Sequence, residues 1–178
     1  MTRLLPGLAA GALCALAAAC GSPAEEGSET SANEVARQLA QVRIEPGMWE
    51  RSTEVLSVSA PGMPREYASR LTGRRNSSRH CITPEQAARP NATFLATQRN
   101  SECSYRDFRM ENGEVSGTMI CRGPDTGEMR TRMSGRYGPQ GYDMRMHIEA
   151  PMQSGETMTT EMQVRGRRAG PCEEGSEG

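Results

Sequence analysis

The stretch Tyr142 to Glu149 constrains the fold most. Tyr142, Met144, Met146 and Ile148 alternate with Asp143, Arg145, His147 and Glu149. A period of two sends the apolar set to one side of an extended strand, whereas a helix would scatter it. Met158, Thr160, Met162 and Val164 repeat the pattern, and Met129, Thr131, Met133 and Tyr137 supply it earlier. With Tyr137 opposite Tyr142 across the loop Gly138 to Gly141, both apolar sets share a sheet face. The next pairing keeps that face only if its loop is centred on Ser154 or Gly155. Residues 128–167 are therefore predicted to form a three-strand meander. The expected fold is mainly β: a single antiparallel β-meander sheet, strongly curled or partly barrel-like, with one or two short helices.

Two further strands are predicted near 48–58 and 66–81, the first anchored in the core by Trp49, the only tryptophan. Another hairpin turns near Asn112 and Gly113, and two registers compete there. A three-residue loop, Glu111 to Gly113, faces Met110 with Glu114, Tyr105 with Met119 and Cys103 with Cys121. A two-residue loop faces Phe108 with Gly117 and Met110 with Val115, and displaces the cysteines by one position. The first is preferred because it pairs both cysteines, although it puts Asp107 and Arg109 on the Tyr105 side. Ser31 or Asn33 can cap a short helix bearing Val35, Leu39 and Val42. Thr83, Pro84 and Gln86 form a capping-box start for a second. Pro90 ends that helix, and Phe94 and Leu95 follow as a turn or a further short helix.

Before this domain lies an export signal. Arg3 precedes an apolar run, Leu4 to Ala19, too short for a comfortable bilayer span. Leu16, Ala17, Ala18, Ala19, Cys20 and Gly21 resemble a bacterial lipobox, so Cys20 is the expected lipidation site. Gly21 resembles the sorting pattern of outer-membrane lipoproteins. The organisation expected is a lipoprotein signal peptide over 1–19, a lipidated tether with a possible short helix over 20–44, a disulfide-containing antiparallel β domain over 45–172, and a disordered tail over 173–178. With Cys14 lost and Cys20 acylated, Cys81, Cys103, Cys121 and Cys172 remain, and an even number in an exported chain reads as disulfides. The preferred register pairs Cys103 with Cys121, which leaves Cys81 for Cys172. A zinc site on the same thiols lacks a close Cys pair.

After Cys20 there are 11 Met but only 16 Leu, Ile, Val and Phe together, so thioethers must fill the core. Met144, Met146 and His147 are the rival reading, a periplasmic Cu(I)-handling site; period two turns His147 away from the methionines and favours packing. His80 beside Cys81 does not make a nucleophilic pair, because strand neighbours face opposite ways, and no known catalytic motif is present. Twenty-one Arg against 22 acidic residues do not build the basic footprint of a nucleic-acid binder. Neither catalysis nor a cofactor is expected.

Pro46, Gly47, Met48, Trp49 and Glu50 resemble the opening of the bacterial family known as domain of unknown function 3617. Cys81, Ile82, Thr83, Pro84 and Glu85 resemble its Cys-Val-Thr-Pro-Glu segment. Cys103, Cys121 and the closing Gly170, Pro171 and Cys172 resemble its other cysteines and its ending. The resemblance spans about 45–172 and implies a secreted or periplasmic domain without supplying a reaction. The expected protein is a nonenzymatic cell-envelope lipoprotein, held to the outer membrane through Cys20 and facing the periplasm. It would bind a small apolar ligand or an envelope protein through one sheet face or the open end of a curled sheet.

Overall fold

In a computed structural model, which describes residues 28–88, 102–123 and 127–173, the alternation is realised as β6 (Gly127–Gly138), β7 (Gly141–Pro151) and β8 (Thr157–Gly170). Tyr137 pairs with Tyr142, and Met144 with Val164 and Met146 with Met162, which centres the second loop on Ser154. The other strands are β1 (Glu29–Thr30), β2 (Gly47–Ser59), β3 (Arg75–Ile82), β4 (Glu102–Glu111) and β5 (Glu114–Gly123). Together they form one eight-stranded antiparallel sheet in the order β1-β4-β5-β6-β7-β8-β2-β3. This ladder has two ends, so the sheet is open rather than the strongly curled or partly barrel-like one expected. Among the described residues the two terminal strands pair only inward.

The tip of the β4–β5 hairpin corrects the preferred register and reconciles the two alternatives. Asn112 and Gly113 alone make the turn, with φ of 53° and 79°, as a two-residue loop of type I′ requires. Met110 therefore faces Val115, not Glu114. Between Arg106 and Arg109 the register shifts at a bulge where Asp107 takes φ 50°, and beyond it Cys103 faces Cys121 after all. The extra residue turns Phe108 into the core, 2 % exposed, and Asp107 out to accept hydrogen bonds from Ser28 N and Oγ. Gly117 makes room: a Cβ there would stand 2.8 Å from Phe108 Cα.

Three short helices are described. Ser31 caps α1 (Ala32–Ala40), its side chain accepting from Glu34 N at 3.1 Å, and Val35 and Leu39 drive one stripe into the sheet. The expected strand over 66–81 is corrected in its first half, because Arg65–Leu71 forms α2 before β3 begins. Those seven residues bury nothing, so their helical preference, with Glu66 at the start and Arg70 at the end, is not overridden by packing. At α3 (Pro84–Ala88), Thr83 N donates to Gln86 Oε1 and Gln86 N to Thr83 Oγ1, a reciprocal capping box. Ahead of α1, Glu29 and Thr30 add to β4. Residues 1–19, Cys20, Pro90, Phe94, Leu95 and the tail beyond Glu173 lie outside the described residues.

Call the face covered by α1 the inner face. Its core joins Val35 and Leu39 to Tyr105, Phe108, Val115, Met119, Met133 and Met144. Met119, at 1 % exposure, is among the most buried side chains, so methionine does fill this core. Sulfur bridges join Cys103 to Cys121 and Cys81 to Cys172. The second ties the edge strand β3 to the chain just beyond β8.

Candidate ligand-binding face

The strand register sorts the charges. On β2, Glu50 and Glu54 point to the outer face while Trp49, Arg51, Thr53 and Val55 point inward, and the pairings carry that parity across the sheet. Asp143, Glu149, Glu161, Glu128 and Glu114 all fall at outer positions. Among the described residues no Asp or Glu occupies an inner-face position of β2 to β8.

Outside, carboxylates alternate with guanidinium groups. Glu50 lies between Arg79 and Arg167, and Glu54 pairs with Arg75 at 2.8 Å. Hydrogen bonding from Arg79 holds the Glu50 carboxyl below its ordinary value; burial opposes it, and the charges of Arg167 and Arg79 add to the lowering. These pairs are solvated, and each contributes little to stability.

Inside, the face divides in two. Where α1 and the segment after it lie on the sheet, a cavity of about 50 Å³ is lined by Leu39, Val42, Ile44, Trp49, Ile82 and Met144, among others. Trp49 is 3 % exposed, stacks on Tyr142 with ring centroids 6.3 Å apart and donates from Nε1 to Glu45 O at 3.0 Å. The Tyr142 ring lies over Gly166, where a Cβ would overlap it. Farther along the strands α1 does not extend, and among the described residues only Leu71 at the end of α2 borders the face. An open groove of about 690 Å³ remains, with Val55, Val58, Met158 and Met162 along its floor and Arg51 and Arg74 at its rim. Met146 and Ile148 continue the apolar floor on β7 and are half-buried.

Arg51 is exposed. Its charge reaches Tyr142, whose hydroxyl is pushed up by burial and pulled back by Arg51. His80 is lowered by burial first and by Arg51 second. Among the described residues neither Arg51 nor Arg74 has a carboxylate partner within ion-pair distance, whereas Arg168, the inner-face cation near the helix, meets Glu45 at 4.0 Å.

The residues considered for copper are not brought together. Met144 is buried on the inner face and Met146 lies beside it, while His147 is on the outer face with Nδ1 2.7 Å from Glu161 and Nε2 3.4 Å from Glu149. Glu149 and Glu161 thus approach each other through an imidazole. The hydrogen bond to Glu161 raises the His147 pKa above 6.5, burial opposes it, Glu149 adds to it and Arg132 subtracts. A raised folded-state value means that the stabilisation is complete below about pH 6.5 and is lost as pH rises through the folded value. The urea midpoint of the wild type is accordingly expected to fall from pH 6.5 upward, and His147→Gln to flatten that decline. An unchanged slope in the variant would assign the pH dependence elsewhere. His80 acts with the opposite sign, its contribution being lost as pH falls.

The inner-face cations are the feature that sequence reading missed. The signal was the spacing of β2, where acids recur at 50 and 54 while the odd positions from 49 to 55 hold none. Cys20 lies outside the described residues.

Residues 44–172 match the family model described as protein of unknown function, DUF3617. No curated protein and no solved structure matches the chain.

Proposed function

Because the chain belongs to the DUF3617 family, which carries no assigned activity, we propose from its own geometry that it is a nonenzymatic envelope lipoprotein that binds a small apolar ligand on the inner face of its sheet. One observation carries this reading: the inner face has an apolar strip and, among the described residues, no carboxylates, yet α1 covers only part of it. An apolar strip left in water costs free energy that a bound ligand would recover. The charge-laced outer face has no such deficit. Partial curling of the open sheet around the ligand, short of closure, belongs to the same reading.

The test places a charge on the strip without touching the core. Met162 is half-buried on the groove floor, and Met162→Glu is expected to weaken binding of an apolar fluorescent probe about tenfold, a change of roughly 1.4 kcal/mol. Its neighbour Gln163 faces outward, so Gln163→Glu serves as the control. Equal binding by wild type and both variants would remove the inner face from consideration.

Membrane attachment through Cys20, with the domain facing the periplasm from the outer membrane, completes the proposal. Radiolabelled fatty acid is expected to enter the wild-type protein in growing cells and not the Cys20→Ser variant. Persistent labelling of that variant would refute the lipobox assignment.

A further inference from the structure

Resting on the reading of the inner face as a ligand site, we propose that its occupant is a single-chain anionic amphiphile, a long-chain fatty acid, whose carboxylate meets Arg51 and whose chain runs along the groove toward Val58 and Met158.

Three features lead there. The first is charge. Among the described residues the inner face carries no acidic side chain and Arg51 no carboxylate partner, although Arg–carboxylate pairing recurs across the outer face. A guanidinium presents a planar fork that matches a carboxylate through two parallel hydrogen bonds. Ser78, directly across the β2–β3 ladder from Arg51, also lines the groove and offers a hydroxyl at the same end.

The second feature is direction. From Arg51 the inner-face residues of β2 become less polar along the strand, through Thr53 to Val55 and then, past a register shift, Val58. Met162 and Met158 run beside them on β8. Along β2 the groove therefore passes from a cationic end to an apolar one, as an amphiphile does, with Thr160 between the two methionines of β8 and Asn76 and Arg74 on its β3 side.

The third is length. The residues of β8 opposite Arg51 and Val58 are Gly166 and Thr160, the register shift absorbing one residue of β2, so this stretch covers six strand steps, about 20 Å at roughly 3.3 Å per residue, room for a long acyl chain laid out straight. Arg74 stands on the edge side of the groove, where its backbone carbonyl accepts from Val55 N, and adds positive field without being placed at the head position. One guanidinium at the head balances one negative charge, which favours a monoanionic fatty acid over a headgroup of higher charge.

Decanoate, 1-decanol and decyltrimethylammonium, which share a chain and differ in the head, separate this proposal from the reading beneath it. They are titrated calorimetrically into the full-length Cys20→Ser chain, alone and with Arg51→Gln, Arg51→Lys or Arg145→Gln, the last at an exposed outer-face position. Decanoate is expected to bind one to one and at least about tenfold more tightly than the alcohol. Arg51→Gln should erase that preference, Arg51→Lys should retain part of it and Arg145→Gln should leave it intact. Equal affinities for decanoate and decanol, indifferent to Arg51, would overturn the fatty-acid assignment and leave apolar binding standing. Binding of none of the three would overturn both. Binding confined to anionic phospholipid vesicles, lost at high salt, would make Arg51 part of a membrane-facing surface and likewise reject the proposal.

Discussion

Replacing Cys81 and Cys172 together by alanine is expected to cost about 4 to 5 kcal/mol of folding stability, the larger of the two bridge effects. The bridge closes a sequence separation of 91 residues, and in the chain-entropy description a loop near that length constrains the unfolded state by roughly this amount. Cys103 and Cys121 are separated by only 18 residues and already face each other across a hairpin, so their removal should cost about 3 kcal/mol. Local structure adds to the difference. β3 pairs with β2 alone, and the Cys81 bridge fastens that edge strand to the far end of β8. Urea denaturation of the two double-alanine variants under identical conditions measures both. A smaller loss from the Cys81–Cys172 pair than from the Cys103–Cys121 pair would contradict the entropic account.

Trp49→Ala is expected to destabilise the domain by about 3 to 5 kcal/mol. The indole is almost fully buried, lies against Tyr142 and holds the Glu45 carbonyl. Its loss therefore opens a cavity, ends a stacking contact and leaves the segment leading into β2 without its anchor. Trp49→Phe should recover a substantial part of the loss, since a ring remains to stack and only the N–H donor is gone. Because this is the only tryptophan, the alanine variant is followed by far-ultraviolet circular dichroism. A loss below about 1 kcal/mol would place the indole outside the cooperative core.

Much of this architecture was legible because period two is a strong signal where it persists. Tyr142 to Ile148 specify a strand, a face and, through parity, the centre of the following loop. The hairpin around Asn112 was harder for a physical reason. Two registers each satisfied part of the sequence, one the cysteines and one Phe108 and Met110, and a uniform ladder cannot hold both. The bulge at Asp107 holds both by taking up one residue, and the small hint of it was Gly117, the position with no Cβ opposite. The segment 65–71 was misread because a helix that buries nothing leaves no periodic trace. The candidate site was partly visible for the converse reason. Carboxylates at 50 and 54 marked the outer face, but the absence of acids from the inner face emerges only when seven strands are aligned side by side.

The sheet's two edges are finished differently. On one side β1 covers Tyr105 and Arg106, while Thr30 Oγ1 takes the Phe108 amide and the Gln38 side chain takes the Met110 amide. The Phe108 and Met110 amides, which could template another strand, are thus already occupied. On the other side, among the described residues, β3 pairs with β2 alone and carries exposed charged side chains, Arg75 and Arg79 among them. An incoming strand would thus meet amides already capped by Thr30 and Gln38 on the β4 side and a row of guanidinium groups on the β3 side, so the two edges resist pairing by different means, one by hydrogen-bond occupancy and the other by charge.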